Sequence, residues 1–262
     1  MKITSIKSHV LRYELDRELG YSQQYYKYRT AHLVEIETDE GITGWGECFG
    51  PGNIALANKF IVEKVIQPII KGENPTNKEY LWHKVYNLLR DSGQKGMPMQ
   101  ALSGIDIALW DILSKKANLP LYQLIGGKSN NQIPVYGYGM MLQKKSVDEL
   151  IELFQKEAKE IKEKNFKAMK MKIGIGPKDD LKLVKAVREA VGDDYKLMVD
   201  ANHAYNLSDA LYVGRGLDEM NIYWFEEPVA PEDYEGYKEL KKKLKTNIAG
   251  GEAEFTKYGW NQ

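Results

Sequence analysis

Ala168-Met-Lys-Met-Lys-Ile-Gly174 is the stretch on which the reading of this chain turns. Three further stretches follow it: LMVDAN with Asp200, YWFEEP with Glu226, and NIAGGE with Glu252. The steps from Lys172 through the three acids are 28, 26 and 26 residues. Each acid closes a short apolar or β-prone run. A strand, a helix and two loops take roughly 25–35 residues, so the rhythm is that of repeated βα units. Between the acids lie helical patterns. Residues 178–191 place Leu181, Val184, Val187 and Val191 on one face, and residues 208–220 and 232–244 are shorter amphipathic segments.

Right-handed crossovers would lay such strands parallel, side by side, with their C-terminal ends on one rim. In a (β/α)8 barrel that rim is where active sites are built. Asp200, Glu226, Glu252, Lys170 and Lys172 are therefore expected to converge. Three carboxylates in a small volume raise each other's pKa unless a cation joins them. A donor set of hard oxygens, with no clustered His or Cys, favours Mg²⁺, with Mn²⁺ as the alternative, over Zn²⁺. A lysine beside a second lysine and a divalent ion should lose its proton readily and serve as a base near neutral pH. A metal gripping a substrate carboxylate would stabilise the enediolate left by removal of the adjacent proton. The chemistry that fits is proton abstraction α to a carboxylate. A lone acid after a strand is ordinarily a helix cap or a solvated loop residue; three in register argue against that here. Gly174 and Gly176 form a GxG, but no third glycine or acidic partner supports a dinucleotide site.

The set KxK (Lys170, Lys172), DxN (Asp200, Asn202), EEP (Glu226, Glu227, Pro228) and GGE (Gly250, Gly251, Glu252) resembles the enolase superfamily, in its mandelate racemase and muconate lactonizing enzyme family. Enzymes of that superfamily set a Lys or His base to work beside Mg²⁺. The resemblance implies Asp200, Glu226 and Glu252 as metal ligands, Lys172 as general base, and Lys170 as a catalytic partner meeting the substrate carboxylate. It places Asn202 beside the metal as a substrate-binding residue and Glu227 behind the ligands. The segments 44–51 (GWGECFGP), 89–96 (LRDSGQKG) and 101–112 (ALSGIDIALWDI) are similar to galactarolactone cycloisomerase-like members. The resemblance implies a sugar acid or its lactone as small-molecule substrate, and a homo-oligomer at full length.

The balance of charge excludes several classes. Lys+Arg and Asp+Glu both number 37, which leaves no net field to recruit nucleic acid or an anionic membrane. No run approaches the roughly 20 apolar residues of a membrane span. Cys48 is the only cysteine, so no intrachain disulfide can form, which suits the cytoplasm. The start, MKITSIKSHVLRYELD, has no apolar signal core.

The N-terminal part has a different layout. Residues 2–14, 30–38 and 42–48 read as strands of a small antiparallel meander, with a tight turn at Asp39-Glu40-Gly41. Between the first two lies a tyrosine-rich loop, 16–29. The family resemblance makes it a lid over the barrel mouth, with Tyr21 and Tyr25 as candidate substrate contacts. Helices follow over 54–70, 76–91 (with Thr76 and Glu79 as a capping box) and 99–116, where Asp106 and Asp111 are read as packing residues. Gly, Ser, Asn and Pro cluster in 126–134 and mark the boundary. The expected organisation is an α/β chain: an α+β capping domain over 1–128, then an incomplete enolase-type (β/α) TIM barrel over 129–262.

Five barrel strands are expected, at 133–139, 167–173, 196–201, 222–227 and 247–252. A whole (β/α)8 barrel takes roughly 200–250 residues, more than the second domain supplies. The opposite-face acid or base of the family would lie in the remaining three strands, so the chain by itself is expected to have low activity. Three outcomes share the first step: cycloisomerisation, sugar-acid dehydration, and racemisation or epimerisation. A reading of another class is an inactive truncated fragment that binds only metal or a partner.

Overall fold

Residues 1–261 are described by a computed structural model. Its N-terminal sheet has three strands in the order β1 (Ile3–Tyr21), β2 (Gln24–Thr38), β3 (Thr43–Cys48), and β2 and β3 pair antiparallel with Val34 opposite Gly46 and Ile36 opposite Gly44. Period-two alternation turns His32, Val34 and Ile36 inward with Gly44, Gly46 and Cys48. The two glycines have a packing reason. A Cβ on Gly46 would strike the carbonyl oxygen of Gly104, and one on Gly44 the carbonyl oxygen of Ala108. A long helix thus rests directly on the strand backbone.

The helices of this region are α1 (Ile54–Phe60), a π-helical stretch over Ile61–Ile66, α2 (Gln67–Ile70), α3 (Lys78–Leu89), α4 (Met97–Ala117) and α5 (Leu121–Leu124). Ile3, Ile36, Ile66, Leu81, Ile105 and Ile112 fill the core between sheet and helices. Asp111 is structural here: its Oδ2 accepts the Trp45 N–H at 2.9 Å and pairs with Lys115 at 2.7 Å. The expected capping box at Thr76 is not formed. Thr76 instead donates its N–H and hydroxyl to Asn74 Oδ1, and α3 starts after Asn77.

Two sequence boundaries move. The tyrosine-rich segment read as a loop is largely strand, since β1 and β2 extend until only Ser22 and Gln23 connect them. Its side chains are polar on both faces, so no alternation revealed it. Contacts such as the Arg12 guanidinium 3.6 Å over the Tyr28 ring are cross-strand and invisible along the chain. The first parallel strand is also shorter than expected.

The chain divides into two compact units. One comprises Met1–Leu15, Tyr28–Asn131 and the residues from Phe255 on; the other Asp16–Lys27 and Gln132–Glu254. The second holds a five-stranded sheet in sequential order: β4 (Gly137–Tyr138), β5 (Ala168–Lys172), β6 (Lys196–Asp200), β7 (Trp224–Glu226) and β8 (Asn247–Ala249), all parallel. The crossovers are α6 (Val147–Glu163), α7 (Pro177–Val191), α8 (Leu207–Glu219) and α9 (Tyr234–Lys243); α10 (Thr256–Trp260) belongs to the first unit.

Local chemistry sets the helix starts. Ser146 and Glu149 form a reciprocal capping box at α6, and the side chains of Asn206 and Asp233 cap α8 and α9. Phe154, Met169, Met171, Val184, Leu197, Val199 and Phe225 are buried between sheet and helices. Buried Arg188 of α7 donates to the carbonyls of Gly192, Tyr195, Met220 and Asn221, tying together the turns that lead into β6 and β7. Among the described residues no helix is long and apolar enough to cross a membrane.

Candidate metal centre at the carboxyl ends of the parallel strands

Register brings the site together. Parallel pairing sets Lys172 opposite Asp200, and Asp200 opposite Glu226. Lys170 and Lys172 share strand parity, so both leave the sheet on the face opposite Met169 and Met171. Glu252 comes from the turn after β8, reached through Gly251 at φ 114°. One carboxylate oxygen from each of Asp200, Glu226 and Glu252 lies within 4.8 Å of the others.

The lysines interleave with the acids. Lys172 Nζ donates to Asp200 Oδ2 and to Asn202 Oδ1, both at 2.6 Å. Lys170 Nζ donates to Glu226 at 2.8 and 2.9 Å and stands 3.3 Å from Asp200 Oδ2. Asn202 donates its N–H to Asp200 Oδ1 at 3.0 Å, and its amide reaches Glu227 Oε2 at 3.4 Å. Asn202, His203 and Glu227 all take positive φ, at 43°, 53° and 42°. Such backbone is costly for residues other than glycine and persists only where the surroundings hold it. His203 contributes its main chain, donating N–H to the Glu227 carbonyl at 2.6 Å.

The charges are crowded. Burial, then the neighbouring Glu252 charge, push the Glu227 carboxyl up to about 7. Burial and the Asp200 charge also raise Glu252, against the pull of Lys172. Burial by itself would lower Lys172, but the charge and hydrogen bond of Asp200 outweigh it and move the ammonium upward. Lys170 likewise rises despite burial, through its bond to Glu226 and the charge of Asp200. The expected depression of the lysines is thus opposed by the same acids that were expected to hold a cation. It requires the charge of Asp200 to be spent elsewhere. The donor set itself suits a hard divalent cation: three carboxylates on separate strands and no sulfur or imidazole.

Three aromatic residues join the site that the motifs did not flag. Lys170 Nζ lies 5.9 Å from the Tyr136 ring and 5.6 Å from that of Tyr138, and Lys172 Nζ lies 5.8 Å from Tyr138. Trp224 meets Tyr136 edge to face at 5.6 Å and donates its indole N–H to Glu226 Oε2 at 3.0 Å. Parity was the available signal, since Trp224 stands two residues before Glu226 and Tyr136 two before Tyr138. The Tyr25 ring lies against Gly20 and the core of the second unit, with Lys144 Nζ 5.4 Å away. Tyr21 is half-buried at the end of β1. The hairpin tip does touch the site's main chain, as Ser22 Oγ donates to the Asn202 carbonyl at 2.9 Å.

Comparison with known proteins identifies relatives of both parts of the chain. Residues 21–126 match the mandelate racemase / muconate lactonizing enzyme N-terminal domain, and residues 153–262 match the enolase C-terminal domain-like model. The chain is 39% identical over 259 residues to D-galactarolactone cycloisomerase of Agrobacterium fabrum, covering 99% of this chain and 67% of that protein. It superposes on the 3,6-anhydro-D-galactonate cycloisomerase of Zobellia galactanivorans with a TM-score of 0.86 at 38% identity, over 99% of this chain and 68% of that one. A racemase from Streptomyces coelicolor with bound magnesium gives a TM-score of 0.91 at 30% identity, over 99% and 71%. Dehydratases are also among the relatives. The chain spans 54–67% of the length of the curated relatives it matches.

Proposed function

Because this chain belongs to the mandelate racemase / muconate lactonizing enzyme family of the enolase superfamily, we propose that it abstracts the proton α to the carboxylate of a sugar acid or its lactone. The product follows by cycloisomerisation, with β-elimination of water as the second outcome and racemisation or epimerisation as the third. The observation that carries the reading is the convergence of Asp200, Glu226 and Glu252 within 4.8 Å, with Lys172 Nζ 2.6 Å from Asp200. The sugar-acid class rests on the relatives, whose names specify a galactarolactone and an anhydrogalactonate.

In this reading Asp200, Glu226 and Glu252 hold Mg²⁺, with Mn²⁺ as substitute. The ion, when bound, supplies positive charge where the substrate carboxylate gains electron density. The protein's own groups do the rest. Lys172 takes the α-proton on Nζ, and Asn202 Oδ1 fixes that amine in place. Lys170, paired with Glu226, stays cationic and balances the substrate carboxylate. The Tyr136 and Tyr138 rings stand within 5.9 Å of the Lys170 amine, and Trp224 holds Glu226 through its indole N–H. The same reading divides the chain at about residue 128 into a capping domain and part of a (β/α)8 barrel, and places the protein in the cytoplasm.

The test is an assay with Mg²⁺ against aldarates, their lactones and aldonates in deuterated solvent. Deuterium should enter at the α-carbon of recovered or racemised substrate, or at the adjacent carbon of a keto product when its enol ketonises, and Lys172→Ala should slow that exchange by about 10²–10⁴-fold. Exchange that persists in the variant would sink the assignment of the base. If the isolated chain gives no exchange while a version extended to the length of its relatives does, the low-activity expectation holds and the chemistry stands.

A further inference from the structure

Asp180 is a buried acid that the chemistry above leaves unused. It lies in the first turn of α7 and is fully buried. Its Oδ1 accepts the N–H groups of Gly174 and Ile175 at 2.8 and 3.1 Å. Its Oδ2 accepts the N–H of Gly176 at 2.9 Å and the hydroxyl of Tyr205 at 2.7 Å. Burial pushes this carboxyl upward, and the four hydrogen bonds pull against it. Three successive main-chain donors form an anion cradle, which the chain fills with its own carboxylate.

Helix capping accounts for the three amides but not for Tyr205, which comes from a different βα loop. Gly174 stands two residues after Lys172, and Tyr205 three after Asn202. The carboxylate therefore joins the loop that leaves Lys172 to the loop that leaves Asp200. The two loops also interlock sterically. Gly174 is held at φ 110°, and a Cβ there would come within 2.8 Å of Ala204 Cβ and 2.6 Å of Ser22 Cβ. Ile173 donates its N–H to the Asp200 carbonyl at 2.9 Å, so the clasp begins where the strands end. Asn202 and His203 sit inside the clasped segment in their left-handed conformations and need an external restraint.

We infer that Asp180 is a positioning residue: through Gly174–Gly176 and Tyr205 it locks these two loops together and so sets Asp200 and Asn202 against Lys172. The inference rests on the proposed metal reading and extends it to a residue that touches neither the ion nor substrate.

The experiment is Mn²⁺ titration of the wild-type chain, Tyr205→Phe and Asp180→Asn, followed by the electron paramagnetic resonance of free Mn²⁺. It is run well below each variant's Tm, with amide hydrogen exchange read over 174–176. Outer partners of a metal site change affinity by about 10–100-fold, and that is the expected weakening in Asp180→Asn. Tyr205→Phe, which removes one hydroxyl at constant shape, should weaken Mn²⁺ by about threefold or more and leave the 174–176 amides protected. If both variants bind Mn²⁺ like the wild type while Tm falls, Asp180 is a helix cap and the inference is overturned. If Asp180→Asn does not fold, Tyr205→Phe decides alone, and native affinity there overturns the inference. If the wild type binds no Mn²⁺, the metal reading itself has failed and the inference goes with it.

Discussion

The two units handle buried polarity in opposite ways. In the first, the core is largely apolar and held by close backbone approach: β3 has Gly44 and Gly46 beneath α4, and α4 has Gly104 against Cys48. His32 is a buried exception there, with no hydrogen-bond partner on either ring nitrogen among the described residues. In the second unit, Lys170, Lys172, Asp180, Asp200 and Glu227 are all buried, and all lie near the carboxyl ends of the strands. Burying charge is expensive unless it is paired, and these are: Lys172 with Asp200, Lys170 with Glu226, and Asp180 with main-chain amides. The difference sets the cluster of buried charges in the second unit and the glycine-mediated packing in the first.

The largest effect that sharpens this contrast is at the acids. Asp200→Asn or Glu226→Gln should weaken Mn²⁺ by more than the roughly 100-fold that outer partners reach, read by the same titration. An unchanged affinity in either would break the contrast at its centre. Next comes Gly46→Ala. Its methyl would strike the Gly104 carbonyl, so the substitution should cost about 1–3 kcal/mol, measured by denaturant unfolding, with Mn²⁺ affinity unaltered. The smallest effect is a pH dependence. Burial, then the Lys59 charge, hold the His32 pKa below its ordinary value. Between that depressed value and about 6.5, the unfolded chain binds a proton that the folded chain does not. Stability contributed by neutral His32 should therefore be complete above about pH 6.5 and fall on acidification below it. His32→Phe should flatten this part of the stability profile, and an unchanged slope would remove His32 from the account.

The motifs made the site legible because parallel strands turn sequence periodicity into spatial coincidence. Acids 26 residues apart at strand ends must share a rim, and KxK must share a face. Tyr136, Tyr138 and Trp224 obeyed the same parity, but aromatic residues in strands are ordinarily core, and nothing along the chain distinguished these. Asp180 and Tyr205 were beyond reach, because their bond joins two loops 25 residues apart in sequence. The long β1–β2 hairpin escaped for a different reason. A strand polar on both faces carries no alternation, and only the pairing of one strand with the other makes it a strand.

The sequence by itself carried the motifs by which the chain resembles its family, and its local pattern and spacing determined the parallel βα rhythm and the convergence of the acids and lysines. Tertiary structure alone decided which lysine bonds which acid, that Lys172 is steadied by Asn202, and that the loops behind them are clasped by Asp180. Those facts depend on distances of about 3 Å between segments far apart in the chain, where hydrogen-bond strength falls away within a few tenths of an ångström and no periodicity can report it.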